Sequence, residues 1–221
     1  MGHPFVIKDC TLIAIATGEE AYNLRELHNQ LKTIHPGCIY YHFWGGMLRP
    51  SFDEPEYQND FAAWAWRSLH DTRLAERLAL LDPSHYPQID DLRRALLDII
   101  EERLAESAWV PWARPGQHFK FIRSQIVVFD TGQRIEHPQA MGTQIASLAL
   151  GSVFYHFIDA RRRTDSGRCD FVEWLQARED ERYAELISKI MAIDPYFTNL
   201  VELRQELTMA FVHCPQEGVT S

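Results

Sequence analysis

The sequence predicts a mainly helical α+β fold: a module of one short strand and about four helices, written twice in tandem and packed as a pseudo-two-fold intramolecular dimer. Three observations predict it. When Phe5 is laid on Phe119, FVIKDCTLIAIATG covers FKFIRSQIVVFDTG, and without a gap GCIYYHF (37–43) covers GSVFYHF (151–157). After a slip of a few residues the likeness resumes, with NDFAAW (59–64) on CDFVEW (169–174), Leu81-Asp82-Pro83 on Ile193-Asp194-Pro195, and Leu92-Arg93 on Leu203-Arg204. Apolar residues also recur at helical spacing in both stretches. A repeat is one structural unit seen twice, and equivalent apolar faces of duplicated units tend to meet isologously, as in homodimers. The division reads as a first copy at 1–105, a linker at 106–117 carrying Pro111, Pro115 and Gly116, a second copy at 118–214 and a tail at 215–221.

Each copy opens with a strand. Each opening alternates apolar and polar residues at Phe5 and Ile7, and at Phe119 and Phe121, and runs into β-branched residues, until Thr17-Gly18 and Thr131-Gly132 end the run. A helix follows. Asn23 and Glu26 have the N-cap and N3 spacing of a capping box, whereas the second copy places Pro138 at the first helical position. Leu24, Leu27, Leu31 and Ile34 recur along one face, and Pro36-Gly37 is expected to stop the helix. The Tyr-His-Phe segment comes next, as a helix capped by Ser152 in the second copy and cut short by Gly45-Gly46 in the first. A third helix starts at Asp60 and at Asp170. A fourth spans about 89–104, with an apolar stripe at Leu92, Leu96, Ile99 and Ile100, and about 200–212 in the second copy.

Composition narrows the function. With 46% hydrophobic and 24% charged residues the chain of 221 residues can bury a core, and a net charge of −9 argues against a general nucleic-acid binder. No apolar run is long enough to span a bilayer and the first residues have no leader pattern, so a cytoplasmic protein without membrane association is expected. Cys10, Cys38, Cys169 and Cys214 show no metal-ligand spacing and read as reduced, packed thiols. No metal or other cofactor is expected.

The sharpest candidates for chemistry are Tyr41-His42-Phe43 and Tyr155-His156-Phe157. A histidine titrates near neutrality and serves as acid, base or ligand, but one set between aromatics on a helix also serves as a hydrogen-bonded core residue, and the core reading is preferred. Asp60 and Asp170 could orient those histidines. Each precedes an apolar-periodic helix, and Glu173 lies three residues beyond Asp170, so N-capping is the simpler reading. Trp44, Trp66 and Tyr57 could line an aromatic groove, beside core positions Trp64 and Trp174. The acidic loop at 45–59, with Asp53, Glu54 and Glu56, is long for its setting. Arg161, Arg162 and Arg163 form a cationic cluster that would suit an anion or a solvated helix end. Phosphate loops, dinucleotide fingerprints, nucleophile elbows and zinc-protease motifs are absent.

The runs CTLIAIATGEEAYNLRELHNQLKTI, IYYHFW, NDFAAWAW and DDLRRALLDIIEERL resemble an uncharacterised prokaryotic family known only as a domain of unknown function. The resemblance implies no activity, catalytic residue or cofactor, and it implies a context of storage-glycan and trehalose metabolism. The chain departs from the pattern after His42, where Phe43-Trp44 stand in place of a common second histidine, which speaks against a two-histidine site.

Two functions are therefore expected. The preferred one is a non-catalytic binding or regulatory protein presenting duplicated modules to a protein or carbohydrate partner. The alternative is a small hydrolase or sugar-active enzyme using His42 or His156 as acid/base beside Asp60 or Asp170. A solvent-reachable imidazole within hydrogen-bond reach of a carboxylate favours the enzyme; both imidazoles buried against backbone carbonyls would remove its best support.

Overall fold

The computed structural model describes residues 3–48, 56–106, 110–212 and 214. The chain divides into two compact units, and neither is a continuous stretch of sequence. One is residues 12–126; the other joins residues up to Thr11 with those from Val127 onward. Two strands, β1 (Phe5–Ala21) and β2 (Phe119–Ile135), pair as a two-stranded sheet and pass through this division. Each unit therefore contains residues from both strands. The Thr17 hydroxyl donates to the Phe121 carbonyl at 2.7 Å in the first unit, and the Thr131 hydroxyl to the Ile7 carbonyl at 2.7 Å in the second. Numbers rise on one strand as they fall on the other, so the strands run antiparallel.

The strands are 17 residues long rather than short, and the Thr-Gly pairs do not end them. Gly18 (φ 81°) and Gly132 (φ 77°) take the left-handed conformation that costs glycine nothing, which lets the strand kink and continue.

In the first unit α1 (Leu24–Leu31) starts from a variant of the capping box, in which Glu26 reaches the amide one residue before the N-cap. The Asn23 side chain accepts from the Glu26 amide at 2.9 Å, and Glu26 accepts from the Tyr22 amide at 2.8 Å. Pro36 is not the stop of this helix but the first residue of the next, α2 (Pro36–Trp44), with His35 accepting from the Gly37 amide at 3.0 Å. A proline has no amide to lose at that position and excludes helical geometry from the residue before it, so α1 has to end earlier. Arg93 covers that end, donating to the Ile34 carbonyl at 2.9 Å. Helices α3 (Asp60–Arg67) and α5 (Ile89–Glu106) lie where expected, and α4 (Thr72–Ala79), capped by Asp71, was not foreseen. Leu24, Leu27, Leu31, Phe61, Leu74, Leu78, Leu92, Leu96, Ile100, Phe119 and Phe121 form the core.

In the second unit α6 (Pro138–Ser147) begins at the predicted proline. A helical stretch follows in three parts: α7 (Leu150–Val153), a π-helical segment (Phe154–Asp159) and α8 (Ala160–Arg163). Ser152 does not cap it. The N-cap position is Ala149, and Ser152 is buried inside α7. Then come α9 (Asp170–Gln176), the unforeseen α10 (Ala184–Met191) and α11 (Leu200–Val212). Phe5 and Ile7 join Met141, Ile145, Phe154, Phe157, Phe171, Leu203, Leu207 and Phe211 in this core. Arg204 donates to the Leu148 carbonyl at 2.8 Å.

All four cysteines are buried and none is in a disulfide. Burial, with Asp159 and Asp9 nearby, pushes the Cys10 thiol up to about 12, and burial pushes Cys169 to about 11. A thiol that holds its proton this firmly is a poor nucleophile at neutral pH. We expect Cys10 and Cys169 to resist iodoacetamide in the native protein at pH 7.5 and to react fully in urea, as read by peptide mass spectrometry. Rapid native labelling would show that the strand carrying Cys10 leaves its seat. No helix among the described residues is long and apolar enough to cross a membrane.

Candidate functional site

The Tyr-His-Phe histidines occupy equivalent surroundings, one in each unit. In the first, His42 sits in the last turn of α2 and is 4% exposed. Its Nδ1 lies 2.8 Å from Asp60 Oδ2, and its Nε2 accepts from the Ile122 backbone amide of β2 at 3.1 Å. An amide can only donate, so Nε2 carries the lone pair and the ring proton sits on Nδ1, directed at Asp60. The aromatic neighbours are Phe119, with ring centroids 4.6 Å apart, and Phe61 at 5.4 Å.

In the second unit His156 lies in the π-helical segment and is 3% exposed. Its Nδ1 is 2.7 Å from Asp170 Oδ2 and its Nε2 accepts from the Lys8 amide of β1 at 2.9 Å. Phe5 stands 4.8 Å away and Phe171 5.9 Å. Here the carboxylate is tied further, since Arg163 donates to Asp170 at 3.0 Å and to Asp159 at 2.8 Å and lies over the Tyr155 ring at 3.9 Å. π-Helical turns are rare and concentrate where side chains need a particular placement.

Asp60 and Asp170 therefore bond the histidines instead of capping. Each is the first residue of its helix, and the N-cap is Asn59, which accepts from the Ala62 amide at 2.9 Å, or Cys169, which has no side-chain cap bond. In each unit the aspartate stands one residue past the N-cap, and the sequence signals this only in the first copy, where the capping type Asn59 precedes Asp60.

This geometry limits the chemistry. An acid/base histidine must present a nitrogen to substrate, but both nitrogens of each ring are engaged inside the fold. Freeing Nε2 abandons a buried main-chain amide, at about 1–3 kcal/mol. The histidines pin a strand to a helix. Accordingly, His42→Ala and His156→Ala should each lower stability by about 1–3 kcal/mol in urea denaturation. A variant of unchanged stability would mean that the amide bond does not hold the strand.

The other candidates separate. Tyr41 and Tyr155 are buried beside their histidines. Trp44 is also buried, so it does not line an open groove. Trp66 and Tyr57 are half-buried with ring centroids 6.0 Å apart, and Arg67 lies 5.9 Å over Trp66. Asp53 and Glu54 fall outside the described residues, while Glu56 is exposed. Arg162 and Arg163 hold the buried Asp159 at 2.9 and 2.8 Å, and Arg161 donates to the Phe157 carbonyl at 3.3 Å. That pairing could have been read from the i,i+3 and i,i+4 spacing of Asp159 to the two arginines. No group of three metal-ligating side chains occurs among the described residues.

The chain belongs to a family of unknown function, DUF5752, whose pattern matches residues 2–212. Among solved structures it is similar to OrfY from Thermoproteus tenax, at 28% identity and a TM-score of 0.81, with 97% of each chain covered. No curated protein matches it.

Proposed function

We propose that this is a non-catalytic binding or regulatory protein, a tandem duplication whose copies, 1–105 and 118–214, have exchanged their strands to form a pseudo-two-fold intramolecular dimer. The duplication is supported by the sequence likeness and by the matching bonds at His42 and His156. The non-catalytic reading rests on one observation: the best acid/base candidates have both ring nitrogens committed within the fold, Nε2 to a backbone amide of β2 or β1 and Nδ1 to Asp60 or Asp170. The partner is a protein or a carbohydrate, in the setting of storage-glycan or trehalose metabolism implied by the family resemblance, and the place of action is the cytoplasm.

A thermal-shift screen against trehalose, maltooligosaccharides and sugar phosphates, run beside a product assay on the same compounds, tests the reading. A compound that raises the melting temperature and is not consumed supports it, because binding to the native state alone stabilises. Turnover that disappears in Asp60→Asn or Asp170→Asn at unchanged stability would overturn it in favour of a hydrolase or sugar-active enzyme.

A further inference from the structure

We infer that the helical part of the second unit is a receptor for an extended peptide strand, and that residues 3–10 of a second copy of this chain can fill it in place of the resident segment. The inference deepens the binding reading above by naming a ligand class.

The resident segment is held by groups remote in sequence. Trp174 Nε1 donates to the His3 carbonyl at 2.8 Å, His156 Nε2 accepts from the Lys8 amide at 2.9 Å, and the Cys10 thiol donates to the Gly151 carbonyl at 3.3 Å. Between these anchors Phe5 enters a cage of Phe171, Trp174 and His156, with ring centroids 5.1, 5.4 and 4.8 Å away. Ile7 is 1% exposed. Anchors on main-chain groups combined with pockets for alternate side chains are how a strand is recognised as a ligand.

The first unit repeats this arrangement on a different sequence. Trp64 Nε1 donates to the Gln117 carbonyl at 2.8 Å, His42 accepts from the Ile122 amide, and the Ser124 hydroxyl donates to the Gly37 carbonyl at 3.1 Å. Phe119 stacks on Phe61 at 5.1 Å with Trp64 at 5.6 Å. One seat thus reads FVIKDC and the other FKFIRS. The two segments share phenylalanine first and a large apolar residue third, and differ at the second position (Val6, Lys120) and the fourth (Lys8, Ile122). Two related seats each hold a segment of this pattern through the same kinds of anchor, so the anchors and pockets, not one particular sequence, define the fit, and each copy of the chain carries segments of the required pattern. Exchange of an identical element between protomers needs no new interface chemistry.

The test uses the full-length protein and a fluorescein-labelled peptide of residues 3–11, kept reduced. In the natural protein the resident segment competes at an effective concentration in the millimolar range. In a Phe5→Ala variant that competition is weakened, so the natural peptide should bind saturably and at least about tenfold more tightly than to the natural protein. The same peptide with Phe5→Ala should lose that binding. A folded variant that ignores the natural peptide up to millimolar concentration overturns the inference, as does equal binding of the two peptides. If Phe5→Ala does not fold alone, Phe5→Leu keeps an apolar side chain and is read by the same criteria. A sugar-induced thermal shift without peptide binding would remove the strand receptor and leave the binding proposal standing. Turnover lost in Asp170→Asn would remove the binding proposal whatever the peptide does.

Discussion

Phe5→Ala and Phe119→Ala should each destabilise the protein by about 3–5 kcal/mol, measured by urea denaturation followed by circular dichroism. Both rings are nearly fully buried, at 5% and 4% exposure, although each lies on a strand whose middle is solvent-facing. Phe5 lies almost parallel to Phe171, at an interplanar angle of 10°, with Trp174 edge-on at 67°. Phe119 has the same relation to Phe61, at 13°, and to Trp64, at 75°. Truncation loses the transfer energy of a whole ring and leaves a cavity walled by aromatic side chains, which are too rigid to collapse into it. Phe129→Ala is the control. That ring is 48% exposed, and its loss should cost no more than about 0.5 kcal/mol. Should Phe5→Ala and Phe129→Ala cost the same, the cage around Phe5 would not be a seat, and the account of both units would fail together.

How far the sequence reveals these seats depends on which atoms make them. Side chains with a strong local signal were legible: Asn23 with Glu26, Pro138, the starts of α3 and α9, and the stripe of α5. The histidine pairs were legible as candidates because Tyr-His-Phe and Asp-Phe recur. What the histidines hold was not. Lys8 and Ile122 contribute only a backbone amide, a group that nearly every residue carries, and their side chains give no hint of it. The strand lengths were hidden for a related reason. Burial along β1 and β2 is confined to the ends, so Ile13, Ile15, Val127, Val128 and Phe129 are exposed and the alternation that marks a half-buried strand is absent. Helices α4 and α10, eight residues each, were missed because so short an amphipathic run gives a weak periodic signal. The composition of the two units had no local signal at all, since bonds such as Trp174 to His3 join opposite ends of the chain.

Gly151→Ala should be the second most damaging change, at about 3 kcal/mol, and it tests the seat through the main chain. A β-carbon at this position would fall well inside van der Waals distance of the Cys10 carbonyl oxygen and of Asp9 Oδ1. The first of these is backbone in a paired strand and cannot swing aside, so α7 and β1 must separate or deform, which is the mechanism by which overpacking destabilises. Gly37 occupies the matching place in the first unit. Its β-carbon would stand 3.1 Å from both the Ser124 carbonyl oxygen and His35 Nδ1, a crowding that a shift of a few tenths of an ångström relieves. Alanine also favours a helix over glycine by up to about 1 kcal/mol, which offsets part of that strain. Gly37→Ala should therefore cost less than Gly151→Ala by about 2 kcal/mol in the same urea experiment. The sign of that difference is the informative quantity. If Gly151→Ala is the milder change, β1 does not lie against α7 as closely as the Cys10 thiol bond requires, and the amide bond from Lys8 to His156 loses its structural footing with it.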